Sequence, residues 1–207
     1  MSGPAIRSRL LTLQQERQAA RLGRALLDSK REAILQELLK RVRRRNELHA
    51  DVTKALDEAR RALREARIEM GRAGIDAAVL AQPVGASVDV RHGSLVGVPM
   101  PRLQPRLERF KPQFSPAATT SSLDTAGARF SALLPALLAL AEEEEAVRNL
   151  KAGLFKTVRR LKALERVVIP RLEHEVRDVA VALEEDERDE SVRRKRWLEA
   201  TLVYGRQ

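Results

Sequence analysis

The densest chemistry in this chain is basic: Lys40, Arg41, Arg43, Arg44 and Arg45, then Lys156, Arg159, Arg160 and Lys162, then Arg193, Arg194, Lys195 and Arg196. Guanidinium and ammonium groups in such density recognise carboxylates or phosphates. Acidic runs stand at 142–145 and 184–190. Covalent chemistry finds no comparable footing. His49, His92 and His174 lie on separate segments without metal-ligand spacing. With no cysteine there is no thiolate nucleophile, thiolate metal site or disulfide, which also fits a reducing compartment. The glycines of GSLVGVPM (93–100) lack the Gly-Lys-Ser/Thr ending of a phosphate loop. No carboxylate sits in an apolar surround that would tune it for acid–base work. No catalytic, cofactor-binding or metal residue is expected, and the basic clusters stand as candidate partner contacts.

The elements carrying these clusters are long. A helical pattern from about Ala5 to Met70 is interrupted only by Gly23; Gly and Pro then recur to Pro116, and a second helical pattern follows from about Leu123. A helix of about 65 residues would span roughly 100 Å, so the sequence predicts a rod. Helix one carries Ile6, Leu13, Ala20, Leu27, Ile34, Arg41, Leu48, Ala55 and Ala62 at heptad spacing, with Leu10, Leu38, Val52, Ala59 and Ala66 beside them. Helix two carries Val147, Leu150, Leu154, Val158, Leu161, Leu164, Val168, Leu172, Val176, Val179 and Leu183. Steps of three and four place each set on one stripe. The fold class expected is all-α: a long two-helix antiparallel left-handed coiled coil with a short irregular or β-hairpin insert. Its parts are a helix over 1–72, an insert over 73–121 and a helix over 122–207, together one elongated domain. Leu56, Leu63 and Met70 broaden the stripe, so a third element is expected to pack there.

Finer expectations follow. Ser122 is a possible N-cap for helix two. Pro135 and Pro170 each remove an amide and crowd the preceding turn, which predicts bends at both, the one at Pro170 being the more consequential because it interrupts the best part of the seam. In the insert, Val88 and Val90 alternate with polar residues, His92-Gly93 supplies a turn, and Val96 and Val98 alternate again; Pro99, Pro101 and Pro105 should then stop any strand. An antiparallel register in which paired numbers sum to about 200, to within roughly one heptad, would set 142–145 near Arg60, Arg61 and Arg64, and 184–190 near Arg17, Arg21 and Arg24. It would also set the first two basic clusters side by side as a girdle. Trp197 and Tyr204 offer a contact anchor or a frayed end.

With 33% charged and 3% aromatic residues the chain has the profile of long exposed helices. A net charge of +10 favours nucleic acid, an anionic membrane or an acidic protein surface, with plainly solvated cations as the alternative. Its first residues lack the apolar core of a secretion signal, and the run 130–141 is too short to cross a bilayer, so a soluble chain is expected. Nucleic acid is a rival partner. However, acids interleave the bases, stacking aromatics are nearly absent, and the basic cluster interrupts a seam rather than leading into one. A coiled-coil structural adaptor remains the other alternative.

Several segments resemble the D subunit of V-type and A-type rotary ATPases, the central-stalk shaft. They are Arg9-Leu-Leu, ARLGRALL (20–27), Lys30-Arg-Glu, GVPMP (97–101), KTVRRLKALERVVIP (156–170), Glu187-Arg188 and RRKR (193–196). The 156–170 segment is the most specific, and a plain adaptor would have no reason to carry it. Lys162 stands where that family usually has asparagine, and Val192 where an aromatic is common. The shaft of F-type synthases normally carries a larger domain between its helices. The resemblance implies a non-catalytic rotor part that transmits torque between nucleotide hydrolysis or synthesis and proton translocation. Its partners would be a ring of A-type and B-type subunits, a small F-type central-stalk subunit and a funnel-like adaptor on the membrane rotor. It would lie peripherally at the cytoplasmic face of a membrane and bind no nucleotide, cofactor or nucleic acid directly.

Overall fold

The computed structural model describes residues 3–81, 86–107 and 120–204. Helix α1 spans Gly3–Ala81, hairpin strands β1 and β2 span Ala86–Leu95 and Val98–Leu107, and helices α2 and α3 span Ser121–Ala163 and Ile169–Tyr204. A π-turn, Leu164–Val168, joins the last two. This is the expected helical pair with a hairpin between its members. The chain divides into two compact units, residues 1–32 with 155–207, and residues 33–154.

In the first unit Leu13, Leu161 and Val176 of the two stripes are buried. Three ion pairs join α1 to the π-turn and α3: Arg7–Glu187 at 2.7 Å, Arg21–Glu173 at 2.6 Å and Arg24–Glu165 at 2.7 Å. The hydrogen bond from Arg21 holds the Glu173 carboxyl below the usual carboxylate range, with burial opposing and the Arg17 and Arg177 charges assisting. Each pair is exposed and adds little to stability, but together they show the register. The pairing of Arg7 with Glu187 gives a sum of 194, within one heptad of the expected 200, although Glu187 meets Arg7 and not Arg17, Arg21 or Arg24. At Pro170 the missing amide would leave the Arg166 carbonyl unbonded and the ring would crowd it. The chain answers with the wider turn, in which the Ile169 N–H donates to the Leu164 carbonyl, five residues back. Pro135 lies inside α2.

In the second unit the stripe of α1 is buried at Ile34, Leu38, Val52, Ala59, Ala62 and Ala66. Helical geometry breaks at Gly71, whose φ of 69° and ψ of 173° suit only glycine, then resumes to Ala81. The first helix therefore runs past its expected end. Its returning turns supply the third element: Ile75 and Ala78 pack with Ala66, Met70 and Leu123. Helix α2 starts one residue earlier than expected, with the Leu123 amide bonded to the Thr120 carbonyl. Ser122 is not a cap; its hydroxyl donates to Glu69. The run from Ser121 to Leu198 includes a stretch apolar and long enough, by length and composition, to cross a membrane. Only 17% of that stretch is buried within the protein, with Leu123, Ala126 and Leu133 the buried apolar residues near the start of α2.

The hairpin differs from expectation in two ways. Its turn is Val96-Gly97, with φ of 52° and 74°, a mirror-type turn that matches strand twist. His92 and Gly93 instead lie within β1, paired with Pro101 and Met100. The prolines do not end the strand, for Pro99, Pro101 and Pro105 all belong to β2. They are tolerated because all three share one parity, and in a two-residue hairpin alternate residues turn their amides away from the partner strand. At the tip Val98 and Met100 are buried against Ile34, Leu38, Ala146, Val147 and Leu150, with Leu95 packed alongside. This docking answers the marginal stability of an isolated hairpin.

Candidate partner interface

The stripe of α1 steps from Ile34 to Leu48 through Arg41, a cation at a seam position. Its guanidinium is only 27% exposed. Arg41 Nε donates to Glu37 Oε1 at 2.9 Å and Nη1 donates to Glu143 Oε1 at 2.9 Å. Burial pulls the Arg41 guanidinium down, but the bonds from Glu37 and Glu143 outweigh it and hold it above its ordinary value. Arg44 Nε reaches the same Glu143 oxygen at 3.3 Å. Glu143 itself is 3% exposed. Its register with Arg41 gives a sum of 184, so the acidic run faces Arg41 and Arg44 instead of Arg60, Arg61 and Arg64.

Two polar atoms of this neighbourhood, Glu143 Oε2 and Arg45 Nε, are buried without a hydrogen-bond partner among the described residues. Arg45 also lines a groove of about 300 Å³ with Glu144, Val147, Arg148 and Lys151. Arg148 is held by Glu145 at 2.7 Å. Three cations thus line one concavity. Of the first predicted cluster, the structure joins Arg41 and Arg44 through Glu143 and directs Arg45 to the groove. Lys40 and Arg43 are exposed without an ion pair among the described residues. Arg148 and Lys151 are absent from the predicted set.

In the other unit Lys156, Arg159, Arg160 and Lys162 are exposed on the last turns of α2, while Thr157 and Leu161 face inward. Toward the end of α3, Arg194 pairs with Glu190 at 3.4 Å, and Arg193 Nε bonds the Asp189 carbonyl. Lys195 and Arg196 are exposed, and Trp197 is 69% exposed. The side chain of Tyr204 lies outside the described residues. His49 is exposed, and among the described residues no group of histidines or acids has the grouping of a metal site.

Residues 9–199 match the protein family described as the D subunit of ATP synthase. The chain belongs to that family. An A-type ATP synthase D subunit of Methanopyrus kandleri is 35% identical over 192 residues, covering 92% of this chain and 83% of the relative. A V-type ATP synthase D subunit of Thermotoga neapolitana is 30% identical over 201 residues, 96% of this chain and 98% of its own. That of Pyrococcus abyssi, A-type, is 30% identical over 193 residues, 92% and 90%. As a member of this D-subunit family the chain is a central-stalk component of a rotary ATPase and part of a membrane-associated complex. Neither the adaptor nor the nucleic-acid alternative is favoured.

Proposed function

We propose that this chain is the non-catalytic rotor shaft of its complex. It turns within a ring of A-type and B-type nucleotide-binding subunits at the cytoplasmic face of a membrane and carries torque to a rotor that moves protons. A small F-type subunit and a funnel-like adaptor hold it at the stalk. The observation that carries this reading is the family match over residues 9–199, which takes in both stripes and the ionic knot between them. A shaft must not slip along its seam, and a buried cation paired across that seam resists slippage as an apolar stripe alone does not. Pro170 and the wider turn before it make one side of the shaft unlike the other, which lets equivalent ring sites meet different faces.

The chain has no native cysteine, so a single Ile68→Cys, at a site 85% exposed, takes one label. With the ring immobilised, ATP is expected to drive stepwise rotation of that label. A label that stays still while ATP is hydrolysed would remove the rotor reading. In the same complex, Pro170→Ala should leave hydrolysis running while fewer ions move per ATP; unchanged coupling would deny Pro170 its role.

The groove with Arg45, Arg148 and Lys151 fits an acidic loop of a neighbouring protein in the complex. Charge reversal at Arg148 and Lys151 together should lower association about tenfold at low salt, with the difference shrinking as salt rises. Association that is unchanged at low salt would leave these cations merely solvated. The exposed cations of 156–162 and 193–196 are proposed contacts of the same kind with the ring.

A further inference from the structure

The two long edges of the hairpin are chemically unlike. Its two-residue turn makes Leu95↔Val98 the closing pair, which exchanges both backbone bonds. Alternate pairs along the ladder do the same, and the pairs between them point their N–H and C=O groups outward. On β2 the outward positions are 99, 101, 103 and 105, and three of these are proline. The fourth, Leu103, donates its N–H to Glu142 Oε2 at 3.0 Å. From 99 to 105 that edge has no donor left to offer. On β1 the outward positions are Val88, Val90, His92 and Ser94, none of them proline. All four are exposed, and their amides meet no partner among the described residues. One edge is closed to strand addition and the other is left open, although open edges are ordinarily guarded.

We propose that the β1 edge takes up an extended strand from another protein of the complex, one that alternates apolar and carboxylate side chains. Main-chain bonds to the outward groups of β1 would hold it, as in strand addition generally. The side chains follow from the two faces of the hairpin. On one face Val88 and Val90 are 39% and 56% exposed beside Leu103 and Pro105, so apolar residues of the added strand cover them. On the other face Arg91 stands directly opposite Arg102, both exposed and neither in an ion pair among the described residues. Like charges so placed repel, and a carboxylate beside Arg91 on a third strand relieves this. Asp89 is already engaged by Arg106 at 2.7 Å. A second copy of this chain is the wrong occupant, since each copy carries a net charge of +10 and would bring arginine to arginine. The proposal rests on membership in the complex and not on the groove at Arg45.

Amide hydrogen exchange, read residue by residue, tests it in the intact complex and in the isolated chain. The amides of Val88, Val90 and His92 are expected to exchange freely in the isolated chain and to slow about a hundredfold in the complex. The inward amides of Asp89, Arg91 and Gly93 should be slow in both. Outward amides that stay fast in the complex would overturn the proposal. So would outward amides already slow in the isolated chain, because the chain would then cover its own edge. Val90→Pro gives β1 the change that β2 carries naturally at three outward positions. It should keep the inward amides protected while lowering association about tenfold, independently of salt, whereas Val90→Thr, which keeps the N–H, should associate normally. Normal association of Val90→Pro with its inward amides still protected would also overturn the proposal. The lack of salt dependence separates this result from that of the groove reversals.

Discussion

Glu143→Ala should lower the unfolding free energy of the isolated chain by about 3 kcal/mol, read from the urea midpoint at unchanged slope. Glu143 is 3% exposed and receives Arg41 and Arg44. Its removal leaves the half-buried Arg41 guanidinium with Glu37 alone, and an under-compensated buried charge is among the few single changes with so large an effect. Replacing both partners, as Arg41→Leu with Glu143→Leu, should recover most of the loss and can exceed the wild-type midpoint, because apolar pairs of similar volume match or surpass buried ion pairs. The double variant should lose specificity instead. Introduced cysteine pairs set one heptad out of register should crosslink in it and not in the wild type. A loss below about 1 kcal/mol in the single variant, or no slipped crosslink in the double, would reduce the knot to surface electrostatics.

The second large effect is expected at Gly153. A helix-interior glycine ordinarily gains about 1 kcal/mol on change to alanine, but here the new Cβ would stand 2.6 Å from Val98 Cγ2. Val98 is 3% exposed and fixed among Ile34, Leu38 and Leu150, so it has nowhere to turn. Gly153→Ala should therefore destabilise the hairpin's docking by about 2 kcal/mol. Faster exchange of the β1 and β2 ladder amides, with little change in those of α3, would report it. Shortening the obstacle with Val98→Ala should make Gly153→Ala neutral or favourable, a non-additivity of more than about 1 kcal/mol. Simple additivity would mean that the tip does not rest on this glycine.

How far the sequence spoke depends on what each pattern constrains. The stripes were legible because spacings of three and four leave one face for burial, and Leu13, Ile34, Val52, Ala59, Leu150 and Leu161 occupy it. Register was not legible. Two apolar stripes that repeat every seven residues match almost equally well after a slip of one heptad, and what breaks the tie is the polar pair Arg41 and Glu143. Arg41 was visible as the odd member of its series, but its partner was hidden in a run of four glutamates. That error moved attention to residues 156–160 and away from Arg148 and Lys151. The hairpin was legible as alternation, which fits a turn at His92-Gly93 as well as one at Val96-Gly97. The parity of Pro99, Pro101 and Pro105 was the neglected signal, since prolines confined to alternate positions describe an outer edge rather than a stop. The Gly71 break came where the glycines and prolines begin, but nothing in the composition foretold that the helix would resume.

Val96 holds a left-handed backbone, with φ of 52°, that a β-branched side chain resists. The bend at the tip is therefore kept shut by the grip on Val98 and Met100 and not by its own preference. Loosen that grip and the two arms gain freedom together. Within residues 33–154 the hairpin and the helix segments it grips respond together, much as a latch under load reports any slackening of the frame to which it is fastened.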